Sequence, residues 1–112
     1  MSRVRYTPDR GDLVWLEFDP QTGSEQRGKR PAIVLSPREY NGKVGLALFC
    51  PITSKVKGYP FEVTIAGPKI QGVVLADQLK SLDWRSRNAE FIGKASPKVV
   101  SQTLENINLL LN

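Results

Sequence analysis

The sequence predicts a mainly β protein, a small and strongly bent barrel of roughly five to seven strands with an α-helix at its C-terminal end. Short apolar runs alternate with turn-forming residues over most of the chain, and the final segment has the spacing of a helix instead. The length of 112 residues suits one domain, and no repeat, linker or low-complexity stretch divides it. We therefore expect a single domain over residues 1–112.

The apolar runs define the strands in chain order. The first predicted strand, at 12–18, is rich in bulky and aromatic residues, and a polar loop at 19–30 follows it. The apolar run at 31–36 is too short for a helix and predicts a buried strand. Asn41-Gly42 is a strong turn signal after this strand. The remaining predicted strands lie at 44–52, 59–65, 72–76, 78–82 and 89–93.

A helix is predicted at 97–111. Ser96 is a favourable N-cap, and Pro97 is suited to the first turn that follows it. Apolar residues then recur every three or four positions, which places them on one face of a helix. That face comprises Val100, Leu104, Ile107 and Leu111, and Val99 and Leu110 widen it.

The composition removes much of the usual catalytic chemistry. The chain has no histidine, which excludes a Ser-His-Asp triad, a Cys-His dyad and a histidine metal cluster. The single cysteine, Cys50, excludes a disulfide within the chain, and its place in an apolar run predicts an inert core thiol. Acid–base chemistry would have to use carboxylates, lysine, tyrosine or arginine. We expect neither a cofactor nor a metal ion.

Charge and hydropathy indicate the partner and the location. The chain has 16 Lys and Arg against 11 Asp and Glu, a formal net charge of +5. A small basic domain favours a polyanionic partner, most commonly a nucleic acid, although many basic domains are simply well solvated. No apolar run approaches the ~20 residues that cross a bilayer, and the first residues do not form a signal peptide. The expectation is a cytoplasmic protein with no membrane partner.

Polar residues at strand ends are the candidate binding groups. The loop at 23–30 combines clustered cations with glycines, which suits a phosphate but also suits a solvated hairpin tip. Arg30 differs from the rest, because the proline after it should hold its backbone extended. Thr53 follows a strand end, where a hydroxyl also commonly caps a turn. Asp77-Gln78 follows an apolar run, where it could contact base edges or satisfy turn amides.

The aromatic side chains mostly lie within apolar runs, so the core is the expected place for each of them. Tyr59 and Trp84 flank polar loops and are the better candidates for stacking on nucleic acid bases.

Taken together, several segments resemble the MazF/PemK family of bacterial toxin endoribonucleases, the mRNA interferases of toxin–antitoxin modules. The segment GDLVWLEFDP at 11–20 is similar to the first strand of the family, and GSEQ at 23–26 is similar to its loop signature, together with Gly28, Arg30 and Pro31. The segments PIT at 51–53, KGYPFEV at 57–63, LADQ at 75–78 and WRSR at 84–87 continue the resemblance, the last three toward the chromosomal MazF branch.

The resemblance implies an SH3-like barrel, a homodimer and metal-independent cleavage of single-stranded mRNA by a toxin that inhibits translation and growth. The products would carry 2′,3′-cyclic phosphate and 5′-hydroxyl ends, and the branch suggests cleavage at ACA. A cognate antitoxin with an acidic C-terminal tail would occupy the RNA groove. Leu75 stands where some plasmid-borne relatives carry an arginine proposed as catalytic, so schemes that use that arginine cannot operate here.

The resemblance also implies roles for individual residues. The family's catalytic arginine and threonine carry over to Arg30 and Thr53. Glu25 is the best carboxylate for a general base, although it could instead orient Arg30 or bind RNA. RNA contacts are expected from Glu25, Gln26, Lys29, Lys57, Asp77, Gln78 and Lys80.

Strand pairing offers a way to bring Arg30 and Thr53 together. If the strands at 31–36 and 44–52 pair as an antiparallel hairpin through Asn41-Gly42, the start of one lies opposite the end of the other. Both side chains could then contact the same phosphate.

Two other classes of function remain open at this level. A gyrase-poisoning toxin of the CcdB type would share the barrel and the dimer, although those toxins resemble one another in a tryptophan-containing tail that the final leucines here do not match. A non-catalytic barrel that binds RNA or peptide would not need Arg30 and Thr53 together.

Overall fold

The computed structural model describes residues 6–18 and 28–112, which form seven strands and two helices. In chain order these elements are β1 (Asp12–Glu17), β2 (Lys29–Val34), α1 (Arg38–Val44), β3 (Leu46–Thr53), β4 (Glu62–Ala66), β5 (Gln71–Leu75), β6 (Lys80–Asp83), β7 (Glu90–Lys94) and α2 (Pro97–Leu111). Neither helix is long and apolar enough to span a membrane.

All the described strands belong to one antiparallel sheet, and strand β3 is its centre. The strand order is β4-β5-β3-β2-β1-β7, and β6 adds to β3 outside this path. One side of β3 pairs first with β6, from Leu46 to Phe49, and then with β5, at Ile52 and Thr53. The other side of β3 pairs with β2. The sheet therefore curls into a half-barrel with a C-terminal helix, which confirms the predicted fold class.

In the central strands β1, β2 and β3, buried side chains occur on both faces of the sheet. Because side chains alternate between faces, Leu13, Ile33 and Cys50 pack on one side in a core that includes Ile107 of α2. Residues at the intervening positions pack on the other side in a second core around Phe49. Cys50 is fully buried, and burial raises the pKa of its thiol to about 12, so the prediction of an inert core thiol is confirmed.

The predicted turn at Asn41-Gly42 is wrong, because these residues lie within helix α1. The Asn41 side chain is fully buried, and its amide donates to the carbonyls of Pro8 and Ser36 at 2.8 and 2.9 Å. These bonds hold it within the fold, and the chain reverses instead at Gly45, whose φ of 82° favours glycine. Strands β2 and β3 nevertheless pair antiparallel, as predicted.

Most of the predicted strand boundaries shift by one to three residues, and three of these shifts have a clear local reason. Strand β2 begins at Lys29, inside the predicted loop, because Lys29 and Arg30 pair with Glu17 and Leu16 of β1. Strand β4 begins only at Glu62, whose N–H donates to the carbonyl of Tyr59 in a turn. Strand β3 starts at Leu46, after the left-handed Gly45.

Helix α2 spans Pro97–Leu111, which confirms both of its predicted ends. The Ser96 hydroxyl accepts the N–H of Val99 at 3.2 Å, so the predicted N-cap forms. The predicted apolar face is only partly covered, however. Val99, Val100 and Ile107 contact the core, whereas the leucines toward the end of the helix are exposed, Leu111 at 75%.

Candidate active site

An open pocket of about 710 Å³ lies where the start of β2 meets the end of β3 and the neighbouring part of β5. Arg30 and Thr53 both line it, so the structure brings together the two residues predicted to share a site. The pairing explains why. Ala32 is opposite Pro51, and continuing this antiparallel register by two residues places Arg30 opposite Thr53.

The pocket is cationic. Arg30, Lys55 and Lys69 line it, and no carboxylate does so among the described residues. Arg30 is exposed, and its guanidinium forms no salt bridge within residues 6–18 and 28–112. A guanidinium presents a planar fork of N–H donors that matches two oxygens of a phosphate. The arrangement is therefore suited to a phosphodiester anion.

Thr53 is the last residue of β3, and its hydroxyl is partly committed. Its Oγ1 accepts the backbone N–H of Lys55 at 3.1 Å, which is the turn-capping alternative considered for this residue. A threonine hydroxyl that accepts one bond still has its own proton to donate. Capping the turn and donating to a ligand are therefore compatible roles for Thr53.

Two carboxylates hold the loop that follows Thr53. Glu62 accepts the backbone N–H groups of Lys57 and Gly58, one on each oxygen, both at 2.9 Å. The Tyr59 hydroxyl donates to the Asp77 carboxylate, at 2.9 and 3.0 Å from its two oxygens. This bond, more than burial, raises the pKa of Tyr59. The loop that carries Lys55 and Lys57 is thus fastened at two points beside the pocket.

Among the residues predicted to bind RNA, those that the structure describes do not form one cluster. Gln78 lines the pocket, and Lys57 lies in the adjoining loop, but Asp77 is engaged by Tyr59. Lys29 forms an ion pair with Glu90 at 3.1 Å. Lys80 lies at the start of β6, opposite Phe49, and does not line the pocket. Glu25 and Gln26 lie outside the described residues.

One aromatic residue, Trp15, lines the pocket although it was not predicted as a binding residue. Trp15 was expected in the core, but it is 38% exposed and lines the pocket. The sequence does not indicate that Trp15 is exposed, because Trp15 lies within a continuous apolar run whose neighbouring residues on both sides are buried. The prediction that Trp84 stacks on a nucleic acid base is wrong. It is only 5% exposed, and its indole N–H donates to the carbonyl of Asn41.

The expectation that every aromatic lies in the core is also wrong for two others, since Tyr40 and Phe91 are exposed. The polar residues Lys55, Lys69 and Gln71 also line the pocket, and the sequence did not indicate them as binding residues.

The fold and the pocket define a small curled β domain with a cationic site for an anion, and comparison with known proteins gives its class. The family model for PemK-like, MazF-like toxins of type II toxin–antitoxin systems matches residues 9–111. The chain is 51% identical over 107 residues to the endoribonuclease toxin MazF of Escherichia coli K12, covering 96% of both chains. It is 37% identical over 102 residues to the endoribonuclease toxin ChpB of the same strain, covering 86% of this chain and 87% of that one.

Solved structures of MazF proteins also resemble this chain. MazF of Deinococcus radiodurans matches with a TM-score of 0.86 at 54% identity, covering 96% of this chain and 98% of that one. A MazE–MazF complex from the same organism matches with a TM-score of 0.86 at 49% identity and the same coverage. The chain belongs to the PemK-like, MazF-like family of toxins of type II toxin–antitoxin systems, and it is an endoribonuclease.

Proposed function

We propose that this toxin cleaves single-stranded mRNA in the pocket that contains Arg30 and Thr53, without a metal ion, and that the RNA supplies its own nucleophile. The observation that carries the proposal is the placing of these two donors in one cationic pocket that no described carboxylate lines. Such a pocket favours a phosphodiester and the additional negative charge that develops on it during cleavage.

In the proposed reaction the 2′-oxygen attacks the adjacent phosphorus, and the bond from phosphorus to the 5′-oxygen breaks. The products carry a 2′,3′-cyclic phosphate and a 5′-hydroxyl. One proton leaves the 2′-hydroxyl, and one proton is delivered to the 5′-oxygen. Neither transfer requires a histidine, which the chain lacks. The base is unassigned, and Glu25 is the best carboxylate for it by the family resemblance, with orienting Arg30 or binding RNA as its alternative roles.

Arg30 and Thr53 have different proposed parts in this reaction. Arg30 neutralises charge on the non-bridging oxygens through its guanidinium fork. Thr53 donates one hydrogen bond to the same phosphate, because its hydroxyl proton is not used by the bond from Lys55. Both interactions strengthen as charge builds on the oxygens, so they act mainly on the transition state.

The surroundings of the pair support binding of an unpaired strand. Trp15 offers an exposed indole on which a base can stack, and Gln78 offers an amide for a base edge. Lys69 lines the pocket and Lys57 lies in the adjoining loop, and both are proposed to contact the RNA backbone. The same role is proposed for Lys29 and Lys80, which do not line the pocket. We propose an ACA triplet as the preferred sequence, on the resemblance to the chromosomal MazF branch.

Three further properties belong to the proposal. The leucines left exposed on α2 support a homodimer, because contiguous exposed apolar side chains often mark an interface. An antitoxin is proposed to bind through an acidic C-terminal tail, in keeping with the MazE–MazF complexes of the Deinococcus relative. A cytoplasmic site of action follows from mRNA as the substrate.

The test is incubation of the purified protein with a long single-stranded RNA in EDTA. Cleavage should persist, and the new 5′ ends should accept phosphate from polynucleotide kinase without prior dephosphorylation. The new 3′ ends should become substrates for ligation only after the cyclic phosphate is opened and removed. Cleavage that stops on chelation and returns with magnesium would contradict the mechanism.

A matched pair of short substrates tests the nucleophile. One is all-RNA, and the other carries a single 2′-deoxy substitution on the nucleotide 5′ of the scissile bond. The deoxy substrate should bind with similar affinity but resist cleavage. Cleavage of both at similar rates would exclude the 2′-hydroxyl as the nucleophile, and binding of both without any cleavage would favour a non-catalytic barrel.

A further inference from the structure

The backbone of strand β5 lies unusually close to Thr53. A Cβ placed on Gly72 would be 2.2 Å from the carbonyl oxygen of Thr53, 2.9 Å from its carbonyl carbon and 3.2 Å from the Cα of Ser54. The φ of Gly72 is +140°, which also favours glycine. Only a residue without a side chain fits between these backbones.

This approach coincides with the end of the β3–β5 pairing. Thr53 is opposite Val73, the residue that follows Gly72, and the paired residues before it are Ile52 and Val74. On the other side of Thr53, its Oγ1 accepts the N–H of Lys55. The backbone of Thr53 is therefore fixed from β5 on one side and by its own turn on the other.

We infer that Gly72 is a positioning residue for Thr53, a role that rests on the proposed function of Thr53 in cleavage. A methyl group at position 72 would force the Thr53 carbonyl away by about 1 Å to restore van der Waals contact. The hydroxyl of Thr53 would move with its backbone. A displacement of about 1 Å in a catalytic group can lower a rate by ~10²-fold while leaving much of the binding intact.

The test is the cleavage rate of Gly72→Ala on one defined RNA, with two control variants. Gly45→Ala also places alanine at a positive φ, 82°, but a Cβ there meets no described residue within 4 Å, and Gly45 lies outside the pocket. Gly93→Ala changes a strand glycine whose Cβ would likewise meet no atom of the described residues within 4 Å. Gly72→Ala should lower kcat by about 10- to 100-fold with KM changed by less than about 3-fold. The controls should keep the wild-type kcat.

The Thr53→Ala background separates positioning from a general loss of structure. If Gly72 acts through Thr53, adding Gly72→Ala to Thr53→Ala should lower kcat by less than about 3-fold further. An undiminished further loss in that background, or a wild-type kcat for Gly72→Ala alone, would overturn the inference. Cleavage by the wild-type protein tests the proposed function itself and does not depend on either result.

If Gly72→Ala does not fold, the positioning role is tested in the background of a second substitution. Ser54→Gly relaxes the backbone that the new methyl group would push, and the double variant is compared with Ser54→Gly alone. We expect the double variant to fold and still to cleave at least about 10-fold more slowly than Ser54→Gly. Equal rates for these two proteins would overturn the positioning role.

Discussion

Arg30 and Thr53 are donors of different kinds, and the structure gives each a reason for its position. Arg30 lies at the start of a strand, before a proline, and is opposite Leu16 in β1. Thr53 ends a strand and accepts a turn amide. Regular pairing therefore sets both backbones beside one pocket, as the proposed role in charge stabilisation requires.

The shape of the cation at position 30 should matter as well as its charge. Removing a preorganised donor from a developing oxyanion typically lowers the rate by ~10²–10³-fold, and Arg30→Ala should lose at least that much. Arg30→Lys should recover little, since an ammonium group cannot reproduce the fork. Single-turnover cleavage measures both variants, and Lys69→Ala serves as a control for loss of a pocket cation. Near-complete rescue by lysine would mean that charge alone suffices.

Trp15 should contribute to binding rather than to the chemical step. Stacking of a base on an aromatic side chain contributes about 1–3 kcal/mol, so Trp15→Ala should weaken RNA binding by about 5- to 150-fold. Trp15→Phe should retain most of the affinity. Binding is measured with a 2′-O-methyl RNA that cannot be cleaved. The matched control is Phe91→Ala, which removes another exposed aromatic outside the pocket. Equal effects of both alanine variants would exclude a specific stacking role.

At the scale of the elements, helix α2, which is specified by its own sequence, was predicted correctly. Helix α1, which depends on contacts with distant residues, was not. Helix α2 has a cap, a proline and a helical period within its own sequence, and its ends were predicted. At helix α1 the dipeptide Asn41-Gly42 instead predicted a turn. The buried Asn41 side chain is held by hydrogen bonds to the carbonyls of Pro8 and Ser36, and sequence spacing does not reveal these contacts.

The cap of α2 gives a prediction at this scale. Ser96→Ala removes the acceptor for the Val99 N–H and should lower the free energy of unfolding by about 1 kcal/mol. Ser101→Ala, an exposed change within the same helix, should be neutral or slightly stabilising because alanine has the higher helix propensity. Urea denaturation compares the two variants. Equal stability of both would show that the Ser96 hydroxyl does not cap the helix.

The candidate site was predictable only in part, because some of its residues come from elements that are distant in the sequence. The pairing of two sequential strands brought Arg30 and Thr53 together as expected. Trp15 reaches the same pocket because β1 pairs with β2, where Trp15 is opposite Pro31. Lys69 reaches it from the β4–β5 connection, because β5 pairs with β3 at Thr53. Strand propensity and alternation do not show which strands pair.

At the scale of the whole molecule, one basic surface is proposed to serve both RNA and an acidic antitoxin tail. The two ligands should therefore compete, and RNA affinity should fall as salt rises. Among the described residues three cations line the pocket, which predicts a slope of about −2 in log K against log salt for a single strand. Fluorescence anisotropy of a labelled 2′-O-methyl RNA, titrated with the cognate antitoxin, measures both effects. Simultaneous binding without interference would exclude a shared surface.

The central claim is that Arg30 and Thr53 act on one phosphate, and a double-mutant cycle tests it most directly. Single-turnover cleavage of one defined oligonucleotide is measured for the wild-type protein, Arg30→Ala, Thr53→Ala and the double variant. Because the two donors stabilise the same transition state, the double variant should lose less than the product of the two single losses. Losses that multiply fully, or a near-wild-type rate for Arg30→Ala, would contradict a shared site.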